Sequence, residues 1–154
     1  MELAERITAE FPGAQVTQAD PGETVVKIPR EDYKKFCFFL RDGLGFTYGV
    51  DLTGTDRKDY LEVVLHLFKM EAGSGGLVLK VEVDRENSVL DSVTDVWPGV
   101  EWHERETMDM FGIDFKGHPD LRPILLPETW QGGHPLRKDF EDKRPERPRL
   151  VRER

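Results

Sequence analysis

The stretch FTYGVDLTGTDRKDYLEVVLHLFKMEAGSGGLVLKVEVD, residues 46–84, decides the fold class. Phe46, Tyr48, Val50 and Leu52 alternate with polar or small residues, as do Leu61, Val63, Leu65 and Leu67 with their neighbours. Leu77, Leu79, Val81 and Val83 alternate with Val78, Lys80, Glu82 and Asp84. A period of two puts each apolar set on one face of a half-buried strand. GTDRKD and EAGSGG are short, Gly-bearing connections, so the three strands are predicted to run antiparallel as successive hairpins. His66 falls on the mixed face with Tyr60 and Glu62 and reads as a cross-strand or surface histidine.

Upstream, Leu3, Ile7 and Phe11 recur at helical spacing before Pro12-Gly13. AQVTQA and TVVKIP form two short strands around Asp20-Pro21-Gly22. REDYKKFCFFLRDG is an amphipathic helix that opens on Glu31 and Asp32, where acids complement the helix dipole. Its apolar face is Tyr33, Phe36, Cys37, Leu40 and Leu44, and Gly43 is its stop signal. Cys37 on that face reads as a small hydrophobe. Downstream, SVLDSVTDVWPG (88–99) reads as a short helix broken at Pro98, and GVEWHERETMDMFG (99–112) as a helix closed by Gly112. The order αββαβββ followed by one or two helices implies an α+β, two-layer sandwich.

After Phe115 the periodicity ends. KGHPDLRPILLPETWQGGHPLRKDF is rich in proline and glycine yet carries Leu121, Ile124, Leu125, Leu126, Trp130, Leu136 and Phe140. A flexible linker would not hold so many large apolar groups, so this is an extended segment that docks on something. The last twelve residues, KRPERPRLVRER, read as a basic arm ordered by a partner. The expected organisation is an α+β domain over 1–115 and a docking segment with its arm over 116–154.

The 154 residues suit one domain, and 38% apolar content suffices for one core. A net charge of −8 argues against nucleic acid or an anionic membrane as a general partner. The charge is uneven. Residues 137–154 hold eight Lys/Arg against five Asp/Glu, while the remainder holds 14 against 25. The single cysteine rules out a disulfide framework and a cysteine-ligated cluster. The longest uninterrupted apolar run, FCFFL, is too short to span a bilayer, and no signal-peptide pattern opens the chain, so contact with a membrane is expected only through other subunits.

The densest chemistry lies in WHERETMDMFGIDFKGHPDLRPILLP, residues 102–127. His103-Glu104 invites comparison with the H-E-x-x-H zinc motif, but Thr107 stands where the second histidine is needed. His118 and His134 lie in irregular segments, each before a proline. Carboxylate acid–base work by Glu101, Glu104, Glu106 or Asp109 competes with a plainer reading. Glu101–Arg105 and Arg105–Asp109 are spaced i, i+4 for intrahelical ion pairs. A third reading is an interface, because Trp102, Met108, Met110, Phe111 and Trp130 interleave with arginine and acids.

Glu104-Arg105-Glu106, Asp109, Met110-Phe111, His118, Arg122, Ile124 and Leu126 match, in order and spacing, a known family signature. The chain resembles the 30 kDa subunit family of respiratory complex I, the NADH-quinone oxidoreductase. GHPDLR, ILLPETW and GHPLRKDF extend the resemblance, which thus runs from Trp102 to Phe140. The preceding order of helices and strands also looks like that family's domain. Two departures stand out: Pro123 where many relatives carry a second arginine, and Glu141 where many carry proline. Some relatives are fused to the next, larger protein of the complex, and this chain is expected to be a separate polypeptide.

The resemblance implies a cofactor-free structural and assembly subunit of the peripheral arm of a proton-translocating NADH:quinone oxidoreductase. It would have no catalysis of its own and would sit on the cytoplasmic face of the membrane. NADH, FMN, iron–sulfur clusters and quinone are expected in partner subunits. The main partner would be the large hydrogenase-like subunit, with the small iron–sulfur subunit beside it. The residues expected to fix fold or contact are Glu104, Arg105, Glu106, Asp109, Phe111, His118, Arg122, Trp130, His134, Arg137 and Asp139. Two alternatives stand beside this. One is the equivalent subunit of a membrane-bound [NiFe]-hydrogenase or ferredoxin-linked complex. The other, from a different class, is a stand-alone metal-dependent hydrolase.

Overall fold

A computed structural model describes residues 2–19, 23–71 and 75–142. The turn at Asp20-Pro21-Gly22, part of the EAGSGG loop and the basic arm beyond 142 lie outside the described residues. Residues 46–84 form β3 (Tyr48–Asp56), β4 (Tyr60–Phe68) and β5 (Leu77–Asp84), paired antiparallel in that order. Before them come α1 (Leu3–Glu10), β1 (Gln15–Ala19), β2 (Glu23–Ile28) and α2 (Tyr33–Phe38). A 3-10 turn at Arg30–Asp32 leads into α2, and a π turn at Phe39–Gly43 closes it. β1 pairs antiparallel with β2, and β2 joins β5 in parallel. The sheet order is therefore β1-β2-β5-β4-β3.

Period-two alternation sorts the sheet into two faces. Val26, Ile28, Leu61, Val63, Leu65, Leu67, Leu77, Leu79, Val81 and Val83 are all buried on one of them. They merge with Ile7, Tyr33, Phe36, Cys37 and Leu40 from the helices into a single core. The opposite face carries the Lys27–Glu82 and Arg57–Glu62 pairs. This is the two-layer α+β sandwich read from the sequence.

Two local readings are corrected. Tyr48 and Val50 do not share the buried face of Leu52; they are 52% and 41% exposed, while Leu52 is 2% exposed. The register shifts between Gly49 and Asp51, so Val50 is the extra residue of a β-bulge, and one extra residue reverses the side-chain phase. Ser88–Gly99 is not a helix. It gives β6 (Val89–Asp91), a turn, and a 3-10 turn at Pro98–Val100. β6 pairs in parallel with β7 (Asp114–Lys116), a partner that lies on the far side of the next helix.

That helix, α3, runs over Glu101–Phe111 and ends at Gly112, whose φ of 72° is the left-handed stop. α3 packs close to β3 at Gly54. A Cβ there would lie 2.6 Å from Phe111 Cδ2. Residues 118–142 hold no helix or strand.

Candidate functional site

The segment after β7 lies along α3 and is tied to it from end to end. Near the first turn, His118 Nε2 lies 3.1 Å from the Glu101 carbonyl. One turn on, Arg105 donates to the carbonyls of Arg122 and Pro123 at 2.9 and 3.2 Å. Next, one oxygen of the Asp109 carboxylate accepts the backbone N–H groups of Ile124, Leu125 and Leu126, at 2.8, 2.8 and 3.1 Å. At the C-terminal end, His134 Nδ1 meets Asp109 O at 3.0 Å, the Leu136 amide donates to Met110 O at 3.1 Å, and Arg137 donates to Phe111 O at 2.6 Å. A helix leaves its last four carbonyls without internal donors. Here Gly112 N takes Met108 O and the segment takes the next three.

The segment continues to the sheet. Asp56, on β3 and 3% exposed, accepts Arg85 at 2.5 Å and the Lys58 and Lys138 amides at 2.7 Å each. Arg85 also bridges to Asp139 at 2.6 Å. Arg85 above all, helped by the two amides, holds the Asp56 carboxyl well below the usual carboxylate range against the cost of its burial. The clasp thus keeps its charge throughout the neutral range.

Beneath the helix sits Glu104, fully buried. Its oxygens accept the Ser92 hydroxyl at 2.6 Å and the Val93 amide at 2.7 Å. Burial pushes its carboxyl up to about 7, although both hydrogen bonds favour the charged form. His118 Nε2 lies 4.0 Å from Glu104 Oε2, and neither side chain is exposed.

The sequence-derived residues therefore divide. Glu104, Arg105, Asp109, His118, His134, Arg137 and Asp139 bind other parts of this chain. The intrahelical ion pairs Glu101–Arg105 and Arg105–Asp109 are not formed, because carbonyls and amides of the segment take the Arg105 and Asp109 side chains instead. Phe111 is buried against Gly54. Trp130 donates to Gly133 O at 2.7 Å and stacks on Phe140. Arg122, its side chain 74% exposed, pairs with neighbouring Asp120. Glu106 is exposed. Trp102, Leu125 and Leu136 are large apolar residues left 65%, 59% and 55% exposed.

Sequence reasoning missed Asp56, Arg85 and Ser92. Asp56 sits in what reads as a hairpin connection, and no spacing rule links it to residue 138. Among the described residues, no three His, Cys, Asp or Glu side chains are grouped to hold a metal ion. Among them, too, no helix is long and apolar enough to cross a membrane.

A family model described as "Respiratory-chain NADH dehydrogenase, 30 Kd subunit" matches residues 26–146. An NADH-quinone oxidoreductase subunit of Roseiflexus sp. (strain RS-1) is 45% identical over 143 residues, covering 89% of this chain and 81% of that protein. An F(420)H(2) dehydrogenase subunit of Methanosarcina mazei is 33% identical over 144 residues, covering 90% of each. Among solved structures, the trypsin-resistant fragment (1-134) of Nqo5 superposes with a TM-score of 0.66 at 30% identity, covering 77% of this chain and 98% of that one. A chain of the membrane-bound sulfane sulfur reductase, an archaeal respiratory membrane complex, shares the fold with a TM-score of 0.80 at 24% identity, over 92% of this chain and 85% of its own.

Proposed function

We propose, from the premise that this chain belongs to the respiratory-chain NADH dehydrogenase 30 kDa subunit family, that it is a structural and assembly subunit of an NADH:quinone oxidoreductase. In this reading it carries no cofactor, sits in the peripheral arm on the cytoplasmic face, and reaches the membrane only through its partners. Electron transfer through flavin, iron–sulfur clusters and quinone belongs to the neighbouring subunits. The main contact is with the large hydrogenase-like subunit, with the small iron–sulfur subunit adjacent, and residues 116–154 supply the docking segment.

The observation that carries this reading is the direction of the bonds around α3. Arg105 and Asp109 of the charged motif are bound inward, to backbone atoms of the segment, and Glu104 is bound to Ser92 and Val93. Trp102, Leu125 and Leu136 on α3 and the segment are exposed, as are Glu106 and Arg122. Apolar anchors with a polar rim are what a contact between proteins uses. A hydrolase would need reactive groups converging on an open cleft, and Glu104 is sealed.

The test is co-purification with the large subunit. Trp102→Ala combined with Leu125→Ala is expected to leave the chain folded and to weaken retention at least tenfold. Full retention of the partner by this double variant would sink the proposal. Stoichiometric zinc in the purified chain would favour the hydrolase instead.

The Methanosarcina relative favours a second reading, in which the same scaffold serves a complex with a different electron donor. A gene for an NADH-binding flavoprotein beside this one supports the first reading. A hydrogenase maturation cluster in that place supports a hydrogenase-type complex.

A further inference from the structure

We propose that the start of the segment after β7 is a proton-controlled latch against α3, with Glu104 as the group that gains and loses the proton and His118 as the fastener. This device is independent of the assembly role.

The geometry is that of an interior carboxyl without a committed cation. Each Glu104 oxygen already accepts one neutral donor, Ser92 or Val93. The groups that face it are few. From α2 come Tyr33, Lys34 and Cys37; from the turn after β6, Asp95; from the segment, His118. Lys34 is bound to the Ser92 carbonyl and to Asp95. Asp95 is a like charge. Tyr33 and Cys37 are fully buried, and burial pushes the ionisation of both well up, so neither adds charge at neutral pH. His118 is therefore the ring near enough to answer a charge on Glu104.

His118 is already engaged. Its Nδ1 accepts the Asp120 amide at 3.0 Å, which leaves the proton on Nε2, directed at the Glu101 carbonyl. This neutral ring joins the segment to the first turn of α3. With Glu104 protonated, both His118 bonds coexist with an uncharged interior. When Glu104 releases its proton to solvent, the carboxylate is left buried and unpaired, which is costly. For His118 to compensate as a cation it must bind a proton at Nδ1, and an N–H there cannot accept from Asp120. Deprotonation thus either leaves the charge bare or breaks the Asp120 bond. Both outcomes loosen the segment at its entry.

The sign follows from linkage. Glu104 has a folded value of about 7 against 4.5 for the ordinary side chain. The folded state holds the proton more tightly, so its stability is full below 4.5 and is lost as pH rises through about 7.

Amide hydrogen exchange over residues 118–126 of the full chain, corrected for intrinsic base catalysis, tests this. Between roughly pH 5.5 and 8.5 local opening is expected to rise by up to about 30-fold in the wild type. Glu104→Gln is expected to abolish the rise, and amides of β4 are not expected to follow it. A flat wild-type profile, or an unchanged slope in Glu104→Gln, overturns the latch. A second measurement needs no variant: the carboxyl carbon resonance of Glu104 is expected to titrate near 7. A midpoint near 4.5, the ordinary value, overturns the proposal even if the variant fails to fold.

Discussion

The sheet formed by residues 46–84 and the segment over 118–142 are both held in place, but by opposite means. In the sheet, rows of leucines and valines on β4 and β5 are removed from water, with Leu52 of β3 beside them, and many interchangeable contacts share the load. The segment has its order fixed by a few polar groups: Arg105, Asp109, His134, Arg137 and Asp56, nearly all bonded to backbone atoms. Burial is collective and tolerant of local change. Carbonyl and amide satisfaction is discrete, because each unmade bond leaves a buried group without a partner. The two regions should therefore fail differently.

Substitutions in each region sharpen this contrast. Leu65→Ala, in the centre of the sheet, is expected to cost roughly 2–5 kcal/mol and to lower the melting temperature of the whole chain. A loss confined to the segment would break the comparison. Asp109→Ala strands three amides and is expected to cost roughly 1–3 kcal/mol. Its signature is early protease cleavage within residues 118–142 while circular dichroism of the sheet is retained. Simultaneous melting of both regions would show that they are not separable. Arg85→Ala removes the bridge from Asp56 to Asp139 and is expected to cost about 1–2 kcal/mol, with increased exchange at the Lys138 amide as its mark. Glu106→Gln, on the exposed side of α3, is expected to stay within about 0.5 kcal/mol in the isolated chain, read by chemical denaturation. A larger effect would reveal a bond to the fold.

The same contrast explains what was legible beforehand. β4 and β5 were readable because side chains that alternate between core and exterior leave a period in the sequence. α3 was readable from its spacing and from Gly112. Ser88–Gly99 misled because Val89, Val93, Val96 and Trp97 recur at helical intervals. β-branched residues do not enforce a helix, however, and the parallel partner of β6 lies past α3, beyond any local rule. The bulge at Val50 was hidden because one extra residue leaves no compositional mark. The bonds of the segment were unreadable for a different reason. Their acceptors and donors are carbonyls and amides, which every residue carries. The family resemblance could point to Arg105, Asp109 and His134, but not to their partners.

The capping of α3 also has a consequence in time. The carbonyls at the end of α3 receive their donors from His134, Leu136 and Arg137, more than twenty residues further along the chain. During synthesis the sheet is complete in sequence at Asp84 and α3 at Phe111, but the last turn of that helix waits for residues not yet made. A growing chain would therefore pass through a stage in which a finished sandwich carries a frayed helix end. Emergence of residues 134–139 then closes the helix and locks the segment to Asp56 and Arg85 in one step. Anything that must bind the exposed end of α3 has only that interval in which to do so.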